Sequence, residues 1–515
     1  MSTPRPASPH PASPSASSQA IIALDLGTTS CRALVFDLDG NVLGQESRTY
    51  PLHTPHPGYA EQDPAELLAA ADAVVPAALQ QAGVNPPDVL GISLCTYLHA
   101  VIAIGPQGEP LTPAITWADS RSVPQVDAMR LRRDWPSFYA RTGCPPHPMY
   151  PLYKLMWLRQ NQPDVFRRAA RFVSIKELLV HHWTGQWLVD YGIASGTALF
   201  NLEQLDWDEE ALDLAGVRRD QLPEPVPTTH TVPLASDVAR RLGLLSGTPV
   251  VMGAGDGVLS SLGSGAIEPG VLAAMVGTSG ALRACVEKPV ADPQARVWCY
   301  YLDKNRWILG GSLNNGGIVL RWLGDQLYPG ADYGQLTAEA ARAPVGSGSL
   351  LFLPYLAGER SPGFNARARG VWFGLGLEHQ RPHLIRSALE AVVYRLYSVL
   401  GPLEELAGPV REIRATGGFA RSPLWLRIAA DVFGRQVAVP AQTEGSALGA
   451  FVLGAVALGV APDLSWVHRF IHIDQRLEPD PVHHQTYDQL FRIYQRVNQA
   501  LQGEFLSLAE LREKR

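Results

Sequence analysis

Asp25-Leu26-Gly27-Thr28-Thr29-Ser30-Cys31-Arg32 stands between two short apolar runs, Ile21-Ile22-Ala23-Leu24 and Ala33-Leu34-Val35-Phe36. Each run reads as a buried strand, so the residues between them form a hairpin turn. That turn carries one glycine, three consecutive hydroxyls and an arginine. Its backbone N–H groups can form an anion-binding concavity, to which the hydroxyls add donors and Arg32 adds charge. Asp25, at the strand end, is placed to hold a divalent cation through water, because magnesium keeps most of its hydration shell. The set suits the phosphate tail of a nucleotide, although an ordinary polar turn is the plain alternative. No Gly-Lys-Ser/Thr follows and no Gly-x-Gly-x-x-Gly occurs there, which excludes the two commonest phosphate loops.

The pattern recurs. Val271 to Val276 reads as a strand, Gly277-Thr278-Ser279-Gly280 as a small hydroxyl turn, and Ala281 to Val286 as a returning strand. Strand, hydroxyl turn, strand therefore appears twice, which points to a duplicated domain with a cleft between the copies. Between them, Thr248 to Gly257 is an apolar strand ending in a glycine-rich turn, with Gly253–Gly257 as the crossover and near the hinge. A helix is expected over Pro64–Ala82, with Asp63 as N-cap and Pro64 at its first position. Further helices are expected over Leu152–Arg159, Val173–Trp183, Arg381–Leu406 and Pro423–Phe433. The last forty residues also read as helical.

A chain of 515 residues exceeds one hydrophobic core. The expected division is a disordered Pro/Ser/Ala tail at 1–19, domains at 20–254 and 255–460, and a helical segment at 461–515. A net charge of −6 gives no reason to expect nucleic acid or a membrane as partner. The tail lacks the apolar stretch of a signal peptide, and no uncharged apolar run approaches ~18 residues. Five cysteines without paired spacing argue against disulfides or a zinc site. A cytoplasmic protein is the expectation.

Five separated motifs together resemble the FGGY family of carbohydrate kinases. Asp25-x-Gly27-Thr28-Thr29-Ser30-x-Arg32 is similar to its first phosphate motif, and Gly277-Thr278-Ser279-Gly280 to its second. Met149-x-Pro151-x-x-Lys154-Leu155-x-Trp157-Leu158-x-Gln160-Asn161 is similar to one family signature. Gly370-x-x-x-Gly374-Leu375 with His383-Leu384-x-x-Ser387-Ala388-Leu389-Glu390 is similar to the other. Thr416-Gly417-Gly418-Phe419-Ala420-Arg421-Ser422 is similar to its adenosine motif. The resemblance implies an α/β fold of two actin-like, ribonuclease-H-like domains with an interdomain catalytic cleft, using ATP and Mg2+. It makes Asp256 the catalytic base, a role a carboxylate within reach of a sugar hydroxyl can fill. Helix N-capping is the structural alternative for that residue.

By the same resemblance Thr28, Thr29, Ser30, Arg32, Gly277 and Thr278 hold phosphates. Gly317, Arg321, Gly417, Gly418 and Ser422 lie at the adenosine side, and Asp25 holds the metal through water. His99, Trp117, Asp119, Arg121, Asp256, Gly257 and Arg360 face the substrate, and Lys154 reads as a structural group.

For the substrate, Gly91-Ile92-Ser93-Leu94-Cys95-Thr96-Tyr97-Leu98-His99 lacks the Arg-Glu pair of glycerol kinases and keeps only the histidine of the Gln-Met-His of xylulose kinases. Together with Ile115–Arg121 and Leu353–Pro362 it is more similar to bacterial gluconate kinases. Gluconate carries a carboxylate that a bidentate arginine would neutralise best, and Arg121 and Arg360 are the candidates. The expected partner is thus a small sugar or sugar acid, and the sequence also admits a homodimer. A kinase for xylulose, another pentulose or a polyol is the alternative within enzymes. An actin-like nucleotide switch is the alternative from another class.

Overall fold

The computed structural model describes residues 19–441 and 444–513. The tail expected at 1–19 therefore lies, apart from Gln19, outside the described residues. Two sheets organise the rest. The first has six strands, in the spatial order Thr231–Pro233, Pro249–Gly255, Val89–Thr96, Ala20–Leu26, Ser30–Asp37, Val42–Thr49. The second has seven, in the order Trp298–Asp303, Arg306–Leu313, Gly280–Val286, Val271–Val276, Glu412–Thr416, Gln436–Pro440, Ile473–Leu477.

The two share one plan. Ala20–Leu26 pairs antiparallel with Ser30–Asp37, which pairs antiparallel with Val42–Thr49. On its other edge Ala20–Leu26 runs parallel to Val89–Thr96, and that strand parallel to Pro249–Gly255. Val271–Val276 repeats this with Gly280–Val286 and Arg306–Leu313 on one side and Glu412–Thr416 and Gln436–Pro440 on the other. The duplication read from two hairpins extends to whole sheets.

Parallel central strands need cover on both faces, and their side chains divide accordingly. All seven residues of Ala20–Leu26 are buried. Ile22, Leu24 and Leu26 join Leu67, Val74 and Val75 of helix Pro64–Ala82, whereas Ile21 and Ala23 join the core that holds Leu448 and Val452 of helix Gly445–Ala457. That helix lies in the second half of the chain, so the two halves share one core. They meet where helix Asp256–Gly263 packs against Gly445–Ala457. A Cβ on Gly263 would fall 1.7 Å from the Gly445 carbonyl oxygen, and one on Gly449 would fall 2.0 Å from that of Leu259. Only glycine permits this approach.

Helix Pro64–Ala82 has the expected bounds, and Asp63 accepts from the Ala65 N–H at 2.8 Å. Two expectations change. The helix expected from Val173 begins at Ile175, because Ser174 and Glu177 form a capping box there and Arg171–Val173 is a strand. The segment 461–515 is not wholly helical: Ile473–Leu477 is the outer strand of the second sheet. Its sequence, Ile-Asp-Gln-Arg-Leu, buries only the last residue, so no apolar alternation marks it.

Candidate active site

The first hydroxyl turn closes with the Gly27 N–H donating to the Ser30 carbonyl at 2.9 Å. Three side chains fix it from outside. Tyr50 Oη donates to the Gly27 carbonyl, Gln62 Nε2 to the Thr28 carbonyl at 2.7 Å, and Trp117 Nε1 to Thr28 Oγ1 at 2.8 Å. Thr29 stands exposed at the tip. The second turn repeats the closure, Gly277 N–H to Ser279 carbonyl at 2.9 Å, with Thr278 exposed at its tip.

Glycines crowd the end of strand Val271–Val276 beside this second turn. The Gly317 N–H donates to the Gly277 carbonyl at 2.7 Å, so helix Gly317–Leu327 starts against the turn. Gly417, at φ +86°, comes so close that a Cβ would lie 2.6 Å from the Val276 carbonyl oxygen, and Gly418 follows it. These contacts leave a floor without side chains, suited to a flat ring. Ser422 caps helix Pro423–Phe433, its Oγ accepting from the Trp425 N–H at 3.3 Å. Arg321 is exposed on the first turns of Gly317–Leu327.

Asp25 is 4% exposed, and its Oδ2 accepts from Arg32 Nη2 at 2.8 Å and from Ser446 Oγ at 2.8 Å. Arg32 Nη1 donates to Glu444. The first turn is thereby tied to the start of Gly445–Ala457 in the other half. Among the described residues no three acidic, histidine or cysteine side chains cluster as a closed metal cage. A buried, anchored carboxylate of this kind fits a cation that keeps its water.

Asp256 opens helix Asp256–Gly263 directly after strand Pro249–Gly255. A register shift against Val89–Thr96, between Val251 and Ala254, holds Gly253 at φ +65° and re-aims the chain just before it. Asp256 accepts from the Gly257 N–H at 2.6 Å. Burial, and then the charge of Asp25, push its carboxyl up to about 6, while Arg283, the Gly257 N–H and Arg360 oppose the rise. Such a group is a carboxylate at neutral pH and a better base than a free aspartate.

His99, expected to face the substrate, sits at φ +72° with Nδ1 2.6 Å from the Gly196 carbonyl oxygen. That contact needs a proton on Nδ1, and burial lowers the ring to about 3, so Nε2 is left as an acceptor. Lys154 is wholly buried and donates to the carbonyls of His99 at 2.6 Å, Thr116 at 2.7 Å and Met149 at 2.8 Å. It ties the walls together, in line with a structural role. Arg360 is 7% exposed, lies 5.1 Å from the Trp117 ring centroid and donates through Nη2 to the Leu313 carbonyl at 2.8 Å. Its loop is held by Asn315, whose Nδ2 donates to the Gly358 carbonyl at 2.6 Å.

Asp119 and Arg121 are placed differently from the substrate role expected of them. Asp119 Oδ2 accepts from the Ala60 N–H at 2.7 Å and from Arg121 Nη2 at 2.7 Å. Arg121 Nη2 also donates to Glu61, and its guanidinium lies 3.7 Å from the Tyr59 ring centroid. Each satisfies the other, so the pair braces the wall that carries Trp117. Sequence reading missed Arg283, Tyr150 and Tyr300. The tyrosine hydroxyls stand 3.1 Å apart beside His99. Arg283 did leave a signal, as the one charged residue in the strand Gly280–Val286.

The chain belongs to the FGGY family of carbohydrate kinases, whose N-terminal domain model matches residues 20–263 and whose C-terminal domain model matches residues 272–458. It is 40% identical to the gluconokinase of Bacillus subtilis (strain 168) over 95% of this chain and 98% of that protein. Among solved structures it resembles the gluconate kinase from Lactobacillus acidophilus, at TM-score 0.91 and 35% identity over 96% of this chain and all of that one. A ligand-bound xylulose kinase from the same organism is as similar, at TM-score 0.91 and 35% identity over 95% of this chain and 100% of that one. No helix among the described residues is long and apolar enough to cross a membrane.

Proposed function

We propose that this chain transfers the γ-phosphoryl group of ATP to a hydroxyl of a sugar acid, with D-gluconate giving 6-phosphogluconate. The observation that carries the reading is Asp256, a carboxylate pushed up to about 6 at the start of a helix between the two halves, with a neutral His99 acceptor on the same side. Asp256 accepts the hydroxyl proton as that oxygen bonds to the γ-phosphorus. The bond from phosphorus to the β-phosphate bridging oxygen breaks, ADP leaves with that electron pair, and the proton passes from Asp256 to solvent.

Thr28, Thr29, Ser30 and Arg32 take phosphate oxygens from one wall, and Gly277 and Thr278 from the other. Gly317, Gly417 and Gly418 take the adenosine, with Ser422 and Arg321 at its edge. Asp25 would hold magnesium through water, and the ion would supply charge neutralisation to the triphosphate. Arg32 reaches the phosphates by giving up Glu444, which ties nucleotide entry to the contact between the halves. His99 Nε2 accepts from a substrate hydroxyl, and Arg360 supplies positive charge for the carboxylate. The five cysteines are free thiols, which fits a cytoplasmic enzyme.

Kinetics with gluconate, xylulose, ribulose and glycerol, each with ATP and magnesium, test the substrate. Gluconate should give a kcat/KM at least about tenfold above the others, the equivalent of one well-made polar contact. Rapid use of a ketopentose with none of gluconate would replace the sugar acid by the pentulose.

A further inference from the structure

Arg283 is 5% exposed in the middle of strand Gly280–Val286, and Arg360 is 7% exposed on the loop beside it. Neither fills all its donor nitrogens as a structural arginine does: Arg360 donates Nη2 to the Leu313 carbonyl at 2.8 Å, with Nη1 3.9 Å from Met149 Sδ. Arg386, buried elsewhere in this chain, donates Nε to Glu390 at 2.8 Å, Nη1 to the Ala343 carbonyl at 3.1 Å and Nη2 to Tyr487 Oη at 3.0 Å. Arg283 makes one weak side-chain hydrogen bond, Nη1 to Ser260 Oγ at 3.3 Å. The Nε of Arg283 and that of Arg360 are both buried with no partner. A buried guanidinium N–H without an acceptor is costly, and that cost is relieved if a ligand supplies the acceptor.

The surroundings favour a negative ligand. Arg283 Nη2 would stand 3.2 Å from a Cβ on Gly257, next to the base Asp256. Burial lowers both arginines, the Asp256 charge favours both, and Arg360 also lowers Arg283. Burial lowers Arg283 only to about 10, so it stays protonated at neutral pH. His99 and His147 are held neutral by burial, and Glu359, beside Arg360, is shared with Arg395. Asp25, the other carboxylate acting on Asp256, is paired with Arg32, so Arg283 and Arg360 leave one cation more than the Asp256 carboxylate balances.

We propose that Arg283 and Arg360 jointly clamp the carboxylate of the substrate, and that Arg283 is the residue that makes this site select a sugar acid over a neutral polyol of the same length. The proposal rests on the reading of the chain as a sugar-acid kinase and names the group that reading lacked. Arg283 reaches in from the strand behind the base and Arg360 from the loop over Trp117. The two cations together supply enough donors for both carboxylate oxygens.

The test is steady-state kinetics of the wild type, Arg283→Met, Arg283→Lys and Arg360→Met with D-gluconate and with D-glucitol, each with saturating ATP. In Arg283→Met the KM for gluconate should rise about 10- to 100-fold, the range for losing a charged hydrogen bond, with kcat changed far less. The KM for glucitol should not rise. Arg283→Lys keeps the charge and most of the buried volume, so it should fall between, and it carries the test if the methionine variant does not fold. A gluconate KM unmoved in the Arg283 variants, or gluconate and glucitol constants that shift together, would overturn the clamp while leaving the kinase reading intact. A wild type that does not phosphorylate gluconate would overturn the reading, and the clamp with it.

Discussion

Asp256→Asn is expected to lower kcat with gluconate by about 10³-fold, within the range for removing a positioned general base, while ATP affinity stays within about twofold. The two hydroxyl turns, proposed to take the phosphates, lie around Gly27–Ser30 and Gly277–Gly280, and neither makes a hydrogen bond to Asp256. The asparagine oxygen can still accept from the Gly257 N–H, so the local geometry survives.

Stability distinguishes this loss from misfolding. The carboxyl sits at about 6 in the folded protein against an ordinary 3.8. Between those values the folded chain holds a proton that the unfolded chain has released. Stability therefore falls as pH rises through that window, and above it the bare carboxylate is a net cost. The asparagine variant should melt no lower than wild type at about pH 8, where that cost is fully expressed. Wild-type kcat/KM should fall tenfold per pH unit below about 6, and the variant should lack that limb. A variant that keeps a tenth of the wild-type rate would remove Asp256 from the chemistry.

Gly449→Val should produce a large loss of stability where the two halves meet. A Cβ there would fall 2.0 Å from the Leu259 carbonyl oxygen, and that atom is backbone, with no rotamer to yield. Helices Asp256–Gly263 and Gly445–Ala457 must separate, which opens the core they share and moves both Asp256 and Ser446. The cost is on the order of 3 kcal/mol, the upper part of the range for overpacking. It should appear as a clear fall in Tm together with lost turnover. Gly401→Ala is the control. It lies within helix Arg381–Ala407 with nothing within 4 Å of an added Cβ, so it should melt at or slightly above wild type. Equal melting of the two variants would show that the helices do not meet as described.

Much of this architecture was legible in the chain. Val271–Val276 and Ile21–Leu24 are continuous apolar runs leading into hydroxyl turns, and that local pattern carried over to two whole sheets with one strand order. Asp256 was singled out through the resemblance to the FGGY family; its place after a glycine-rich strand end would by itself have suited a helix N-cap as well. Ile473–Leu477 was hidden because an outer strand needs few apolar residues. Asp119 and Arg121 look like substrate ligands in sequence. Only the fold shows that Glu61 and Tyr59, some sixty residues away, complete a closed set around them. Arg283 left a signal, one charge in an otherwise apolar strand, but nothing that gave its role. Its chemistry comes from partners it lacks, and a missing partner has no sequence pattern.

The most direct measurement of the central claim is phosphorus NMR of a reaction mixture holding the wild-type protein, ATP, magnesium and D-gluconate. One phosphate monoester on the terminal carbon should appear for each ADP formed, with neither growing when gluconate is left out. Free phosphate accumulating at the same rate with or without gluconate, and no ester, would contradict direct transfer from ATP to a sugar acid in this cleft.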